Sequence, residues 1–146
     1  MEVKVKIKSL HKDFKMPVQA HAGDAGFDLV YCGEEDILLR RGQREMISCG
    51  FAMELPYGWE AQVRSRSGLA AKNGVVVLNS PGTIDCAYRG EVKVVLYNSD
   101  ISDYMISHGD RIAQLVVAKT PTVSFEEVEE LTETDRNEGG FGSTGK

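Results

Sequence analysis

The chain has 146 residues, of which 42% are hydrophobic and 27% charged, with a formal net charge of -5. These values fit one ordinary globular domain with a core. They argue against duplex nucleic acid as a main partner, because no basic block offsets the acidity. No apolar run is long enough to span a bilayer. The opening MEVKVKIKSL alternates charged and apolar residues, so neither a membrane segment nor a signal peptide is expected. Cys32, Cys49 and Cys86 are odd in number and lack a CxxC or His spacing. A disulfide framework and a zinc site are therefore not expected, and a reducing cytoplasmic setting is.

Val3, Val5 and Ile7 alternate with lysines, the period of a half-buried strand. Further strands are expected at Gly26–Tyr31, Asp36–Leu39, Arg44–Cys49, Phe51–Leu55 and Glu60–Arg64. Others follow at Val75–Leu78, Thr83–Asp85, Glu91–Tyr97, Arg111–Lys119 and Ser124–Val128. Gly, Pro and Asn turn signals separate them. Short strands at close spacing indicate an all-β barrel or jelly-roll-like sandwich. One short helix is expected over Gly68–Asn73, with Ser67 as N-cap and Gly74 as stop. Glu126–Asp135 reads either as a polar linker or as a short solvated helix, and a Gly-rich tail follows it.

Five clusters are unusual for a plain β scaffold. In AGDAGFDLV, Asp28 stands between Phe27 and Leu29 and points away from them on a regular strand. A carboxylate there suits a hydrated Mg²⁺, which takes substrate phosphates as its other ligands; a turn-forming Asp is the plainer alternative. RSRSGLAAK sets Arg66, Ser67 and Gly68 at a helix start, where unsatisfied N–H groups and the dipole favour phosphate. In NSPGTIDCAYRGEVKVV, Thr83–Asp85 and Tyr88–Glu91 read as a tight hairpin. Its backbone would meet the edge of a pyrimidine, with Asp85 as base toward a water and Tyr88 against a sugar. A plain hairpin is the alternative. HGDRIAQLVV holds Gln114 inside an apolar run, where a buried amide needs a partner. There Asp110 and Arg111 read as an ion pair and His108 as a solvent-facing loop residue. The fifth cluster, RNEGGFGSTGK, combines Arg136, Phe141, Ser143 and Thr144 with glycines, the parts of a lid over a nucleotide polyphosphate. A disordered tail is the alternative.

In this order, AGDAGFDL, RSGLAAK, GTIDCAYRG, GDRIAQLV and GGFGSTG resemble the five motifs of the trimeric dUTP pyrophosphatases (dUTPases), from about Ala22 to Gly145. The resemblance implies a jelly-roll-like distorted β barrel (residues 1–125), a linker (126–135) and a flexible lid (136–146). It also implies a homotrimer with C-terminal arm exchange and active sites shared between subunits. The implied reaction turns dUTP into dUMP and pyrophosphate, limiting uracil in DNA and supplying dUMP for thymidylate synthesis. By resemblance, Asp85 activates the water and Asp28 holds waters of Mg²⁺. Arg66, Ser67, Gly68 and Gln114 bind phosphates. Asn79 and the Gly82–Tyr88 backbone, with Thr83 and Ile84, read uracil, and Tyr88 packs on deoxyribose. Arg136, Gly142, Ser143 and Thr144 close on the γ-phosphate while Phe141 stacks on the base. Ala87 and Asn137 depart from the family, which often has Asp and Gly there; Asn tolerates positive φ better than most residues. A deoxycytidine triphosphate deaminase shares the fold, but would typically place Glu where this chain has Asp85 and Tyr88. A nucleotide sensor without turnover would not need Asp85.

Overall fold

The computed structural model describes residues 1–145; Lys146, the last residue of the expected lid, lies outside them. In chain order the described elements are β1 (Lys6–Ser9), β2 (Gly26–Val30), β3 (Ile37–Leu39), β4 (Arg44–Glu54), β5 (Trp59–Arg64), α1 (Ser67–Asn73), β6 (Val75–Val77), β7 (Gly82–Ile84), β8 (Glu91–Asn98), β9 (Tyr104–Ile106) and β10 (Arg111–Lys119). One antiparallel sheet runs β1-β4-β8-β6 and a second β2-β10-β5-β7, while β3 and β9 form a ribbon. The expected all-β, jelly-roll-like architecture with one short helix is present, its sheets unclosed.

Alternation builds the core. On β8, Val92, Val94 and Leu96 point inward while Lys93 faces water. They meet Ile47, Phe51 and Met53 of the same sheet and Leu29, Val63, Ala113 and Leu115 of the other in one cluster. Two apolar sheet faces buried against each other are the usual solution for such strands. Asn98 is the one buried polar residue among those described. Its amide donates to the Leu39 and Ser102 carbonyls at 3.0 and 2.9 Å and accepts from Asp100 N at 2.9 Å. Fully partnered, it ties β8 to the ribbon instead of destabilising the core.

Several sequence expectations change. Arg44–Cys49 and Phe51–Leu55 are one strand, interrupted by a register shift between Ser48 and Ala52. Gly50 in the shift has φ 75, a conformation that glycine adopts without strain. The helix begins at Ser67, so Arg66 is the N-cap and no side chain caps it. Gly74 ends it in the left-handed conformation, as expected. Thr83–Asp85 and Tyr88–Glu91 are not a hairpin: β7 pairs with β5, whereas β8 pairs with β4 and β6. The segment instead crosses from one sheet to the other. Strand β9, which pairs only with β3, is not among the expected strands.

No strand forms at Ser124–Val128, and no helix forms over 126–135, where a solvated helix was the alternative to a linker. Regular structure ends at Lys119, and Val123, Phe125, Val128 and Leu131 stand exposed. A strand needs an edge to pair with, and within this chain that segment meets none. All three cysteines are free thiols, and burial pushes the Cys49 thiol up to about 12.

Candidate active site

Sheet register brings the first group together. Asp28 on β2 pairs opposite Gln114 on β10, and Gln114 opposite Arg64 on β5. Leu29 is fully buried, so Asp28 faces outward as the alternation requires. It opens onto a cleft of about 340 Å³ lined also by Asp24, Gly26, Arg66, Ser67, Gly68 and Gln114. The Arg66 Nε lies 3.6 Å from one Asp28 oxygen and the Arg111 Nη1 3.4 Å from the other. Arg66 also donates to the Arg111 carbonyl at 3.1 Å. Expected as an ion pair with Arg111, Asp110 instead accepts from Ser107 N at 2.8 Å and Arg111 turns to Asp28. His108 is exposed as expected, with Nδ1 2.8 Å from the Gly33 carbonyl.

Ser65, which sequence reasoning passed over, anchors the entry to α1. Its hydroxyl accepts from Val77 N at 2.9 Å and its carbonyl accepts from Gln114 Nε2 at 2.9 Å. Gln114 is thus partnered at its nitrogen, leaving Oε1 over Gly26. A Cβ built on Gly26 would sit 2.1 Å from that oxygen. Gly26→Ala is therefore expected to push Gln114 off Ser65 and shift the start of α1. Because the displaced atom ends a flexible chain, stability should fall by under about 1 kcal/mol. Activity should fall on the order of tenfold to a hundredfold, as misplaced substrate-binding groups do. Steady-state kinetics beside a melting curve check this; unchanged kcat/KM would reject it.

The cleft has the character of an anion site. The N-terminus of α1 has no acidic residue in its first turn and no side-chain cap, which leaves its N–H groups and dipole to an incoming anion. Burial pushes the phenol of Tyr104 on β9 up, Asp110 adds to that, and Arg66 pulls it down. Among the described residues no three His, Cys, Asp or Glu side chains gather at metal-binding distance. Of the two carboxylates lining the cleft, Asp24 accepts from His21 N at 2.9 Å, while Asp28 is the one flanked by Arg66 and Arg111. That donor set fits Mg²⁺ held through waters, with substrate oxygens completing the shell, and not a cage made of protein ligands.

A second group lies elsewhere. Thr83, Ile84, Asp85 and Tyr88 line a separate hollow of about 220 Å³ with Met46, Glu91, Val92 and Lys93. Strand β7 is the edge of its sheet, so the peptide groups on its open side face outward. Asn79 reaches the same strand: its Nδ2 would lie 3.4 Å from a Cβ on Gly82. The turn after β7 is clamped twice. Tyr88 N donates to the Asp85 carbonyl at 3.0 Å, and Arg89 Nη1 donates to the Cys86 and Tyr88 carbonyls at 2.6 and 3.0 Å. The Tyr88 hydroxyl donates to the Glu91 carbonyl at 3.0 Å, and a Cβ on Gly90 would meet it at 2.3 Å. Only glycine there lets the ring fold back over the turn. Strands β2 and β7 stand three spacings apart in their sheet, about 14 Å at about 4.8 Å per step.

The tail forms the third group. Arg136, Phe141, Gly142, Ser143 and Thr144 gather around a hollow lined by tail residues and the adjoining Asp135. Backbone turns link Arg136 to Gly139, Gly140 to Ser143 and Gly142 to Gly145. Arg136 Nε donates to the Gly139 carbonyl at 2.9 Å. Asn137 takes φ 42, and its side chain accepts from Thr134 N at 2.7 Å. Asn137 thus adopts the positive φ that Gly would otherwise supply. Phe141 is fully exposed. One chain therefore gathers Asp28, Arg66, Ser67, Gly68 and Gln114 in one cleft. Asp85 and Tyr88 stand apart from it, and the tail docks on neither.

Residues 12–145 match the dUTPase family. The chain is 51% identical to the deoxyuridine 5'-triphosphate nucleotidohydrolase of Rickettsia bellii, over 97% of this chain and 95% of the relative. It is 50% identical to that of Anaplasma marginale, over 98% and 99%. Among solved structures, the dUTPase of Staphylococcus bacteriophage 80alpha with dUPNHPP superposes with a TM-score of 0.89 at 28% identity, over 98% and 99% of the two chains. A mutant dUTPase from phage phi11 of S. aureus, solved to reveal the coordination of a structural Mg(II) ion, gives 0.80 at 25% identity, over 89% and 99%. Motifs, fold and relatives agree, and the chain belongs to the dUTPase family.

Proposed function

We propose that the chain is a Mg²⁺-assisted dUTP nucleotidohydrolase that works as a homotrimer with shared sites. The observation that carries this reading is the division of the chemistry. The phosphate-type cleft at Asp28 and Arg66, the hollow at Asp85 and Tyr88, and the undocked tail are each incomplete alone. Copies of the chain around a symmetry axis complete them in one step.

The same assembly accounts for the exposed arm. Strand β1 is a free sheet edge. Beside it runs a groove of about 400 Å³ lined by Val3, Val5, Ile7, Phe27, Trp59 and Leu115. Exposed Val123 and Phe125, with the acidic run after them, match that groove and the Lys4, Lys6 and Lys8 row along the same edge. An arm from a second copy laid there gains main-chain pairing and apolar burial together.

In the assembled site, Arg66, Ser67 and the Gly68 N–H hold phosphate oxygens and Gln114 steadies the loop through Ser65. Asn79 and the open edge of β7 meet the uracil edge; the backbone leaves no room for a 5-methyl group. Tyr88 lies against deoxyribose and excludes a 2′-hydroxyl. Asp85 orients a water and takes its proton as the oxygen bonds to the α-phosphorus. The bond from that phosphorus to the bridging oxygen breaks, and pyrophosphate leaves with the electron pair. Held through waters on Asp28, Mg²⁺ would neutralise charge on the phosphate oxygens. Arg136, Gly142, Ser143 and Thr144 close on the γ-phosphate and Phe141 covers the base.

The test is direct. Purified protein with dUTP and Mg²⁺ should release dUMP and pyrophosphate in equal amounts, leave dCTP undeaminated, and turn over dTTP and UTP far more slowly. Absence of pyrophosphate would sink the reading; deoxyuridine nucleotide from dCTP would favour the deaminase.

A further inference from the structure

Arg111 reaches Asp28 because of a break in the sheet. Along β10 and β2, Gln114 pairs with Asp28 and Ala113 with Leu29, but Arg111 pairs with Val30. The extra residue is Ile112, and both it and Ala113 are buried. Unbroken pairing would set Arg111 opposite Tyr31, whose side chain is buried. A shift of one residue exchanges the faces of a strand. With Ile112 inserted, Arg111 shares the outward face of Val30, the face that Asp28 also occupies two residues earlier. Its guanidinium then lies 3.4 Å from one Asp28 oxygen, while its carbonyl accepts from Arg66 at 3.1 Å.

The geometry points to Arg111 as a positioning residue for the reaction. It fixes the rotation of the Asp28 carboxylate through its side chain and the Arg66 guanidinium through its backbone. Arg66 contacts Asp28 at 3.6 Å, so without Arg111 a substrate phosphate that draws Arg66 away would leave the carboxylate unheld. Asp28 is only 16% exposed at its side chain and Arg111 54%. Arg111 thus holds the carboxylate from its solvent side, while Arg66 stands between carboxylate and helix start. This inference rests on Asp28 as the holder of hydrated Mg²⁺.

The test measures binding of the non-hydrolysable analogue dUpNHpp to the full chain, with and without Mg²⁺, beside turnover of dUTP. In Asp28→Asn, Mg²⁺ should no longer tighten analogue binding. Arg111→Gln should weaken the Mg²⁺ enhancement and kcat/KM by about tenfold, the usual scale for a residue supporting a metal-holding group. Adding it to Asp28→Asn should change the enhancement by less than about twofold, since the two act as one unit. Arg111→Lys, which keeps the cation but not the planar fork, should lose only roughly threefold. It carries the test alone if melting curves report that Arg111→Gln does not fold. Native values in a folded Arg111→Gln, or in Arg111→Lys where only that variant folds, overturn the inference, as do additive losses in the double variant. If Asp28→Asn itself leaves the Mg²⁺ enhancement intact, the role of Asp28 falls and takes this inference with it. An effect of Asp28→Asn without one of Arg111→Gln removes Arg111 alone.

Discussion

Asp85→Asn is expected to abolish most dUTP turnover while leaving nucleotide binding intact. The side chain lies outside β7, on an exposed turn whose shape is set by backbone contacts. The bonds from Tyr88 N to the Asp85 carbonyl and from Arg89 to the Cys86 and Tyr88 carbonyls do not involve the carboxylate. Asn keeps the size and one acceptor oxygen, so the turn, the β7 edge and Tyr88 should stay where they are. What it removes is a group able to take a proton from the attacking water. General-base catalysis contributes on the order of 10²–10⁴ in rate, and kcat should fall by that factor. Affinity for dUpNHpp should hold or rise, because an anion near a triphosphate is lost. Calorimetric binding and single-turnover kinetics separate the two effects. Loss of binding in step with kcat would mean that Asp85 holds substrate and does not activate water. Full turnover would reject its assignment outright.

The parts that sequence revealed best are those with a local cause. Alternation located β2, β4, β8 and β10, and Gly74 marked the end of α1 through its φ. The phosphate-type cleft was legible because Asp28, Arg66, Ser67, Gly68 and Gln114 sit on adjacent strands or on the helix start that follows one. What escaped depends on register and partners. Sequence pairs Arg111 with Asp110, not Asp28, because a bulge at Ile112 leaves no mark in apolar periodicity: Ile and Ala read as ordinary strand residues. Turn chemistry around Asp85 suggests a hairpin but does not say which sheet the next strand joins, and the chain crosses to the other sheet there. Strand β7 nonetheless presents an open edge, so the same backbone remains available to a base for a different topological reason. Val123 and Phe125 alternate as in a strand, yet among the described residues their segment pairs with nothing. Strand propensity is a statement about fitting a pleated, half-buried surface, and in the proposed trimer that surface belongs to another copy.

Truncation after Asp135 is expected to yield a folded, trimeric protein with kcat/KM lowered on the order of a hundredfold or more, the scale of losing a closing element that orients substrate. The fold should survive because, among the described residues, the core contains none beyond Leu115, with Val117 packed against it. The trimer should survive because the arm with Val123 and Phe125 is retained. Ordering the tail costs roughly 1–2 kcal/mol of backbone entropy per residue. Its turns at Arg136–Gly139 and Gly140–Ser143, and the positive φ of Asn137 and Phe141, prefold part of it and reduce that cost. The remainder must come from contacts to the γ-phosphate and base. Truncation should therefore weaken dUpNHpp much more than dUMP, which lacks the γ-phosphate. A mixing experiment then asks which chain each tail serves. Asp85→Asn chains carry a lid but no base, and truncated chains carry the base but no lid. Refolded together they should regain activity that neither has alone, because a tail from one chain closes over Asp85 of another. If each tail served its own chain, every mixed trimer would stay inactive, and the shared-site reading would fail even though the lid itself mattered.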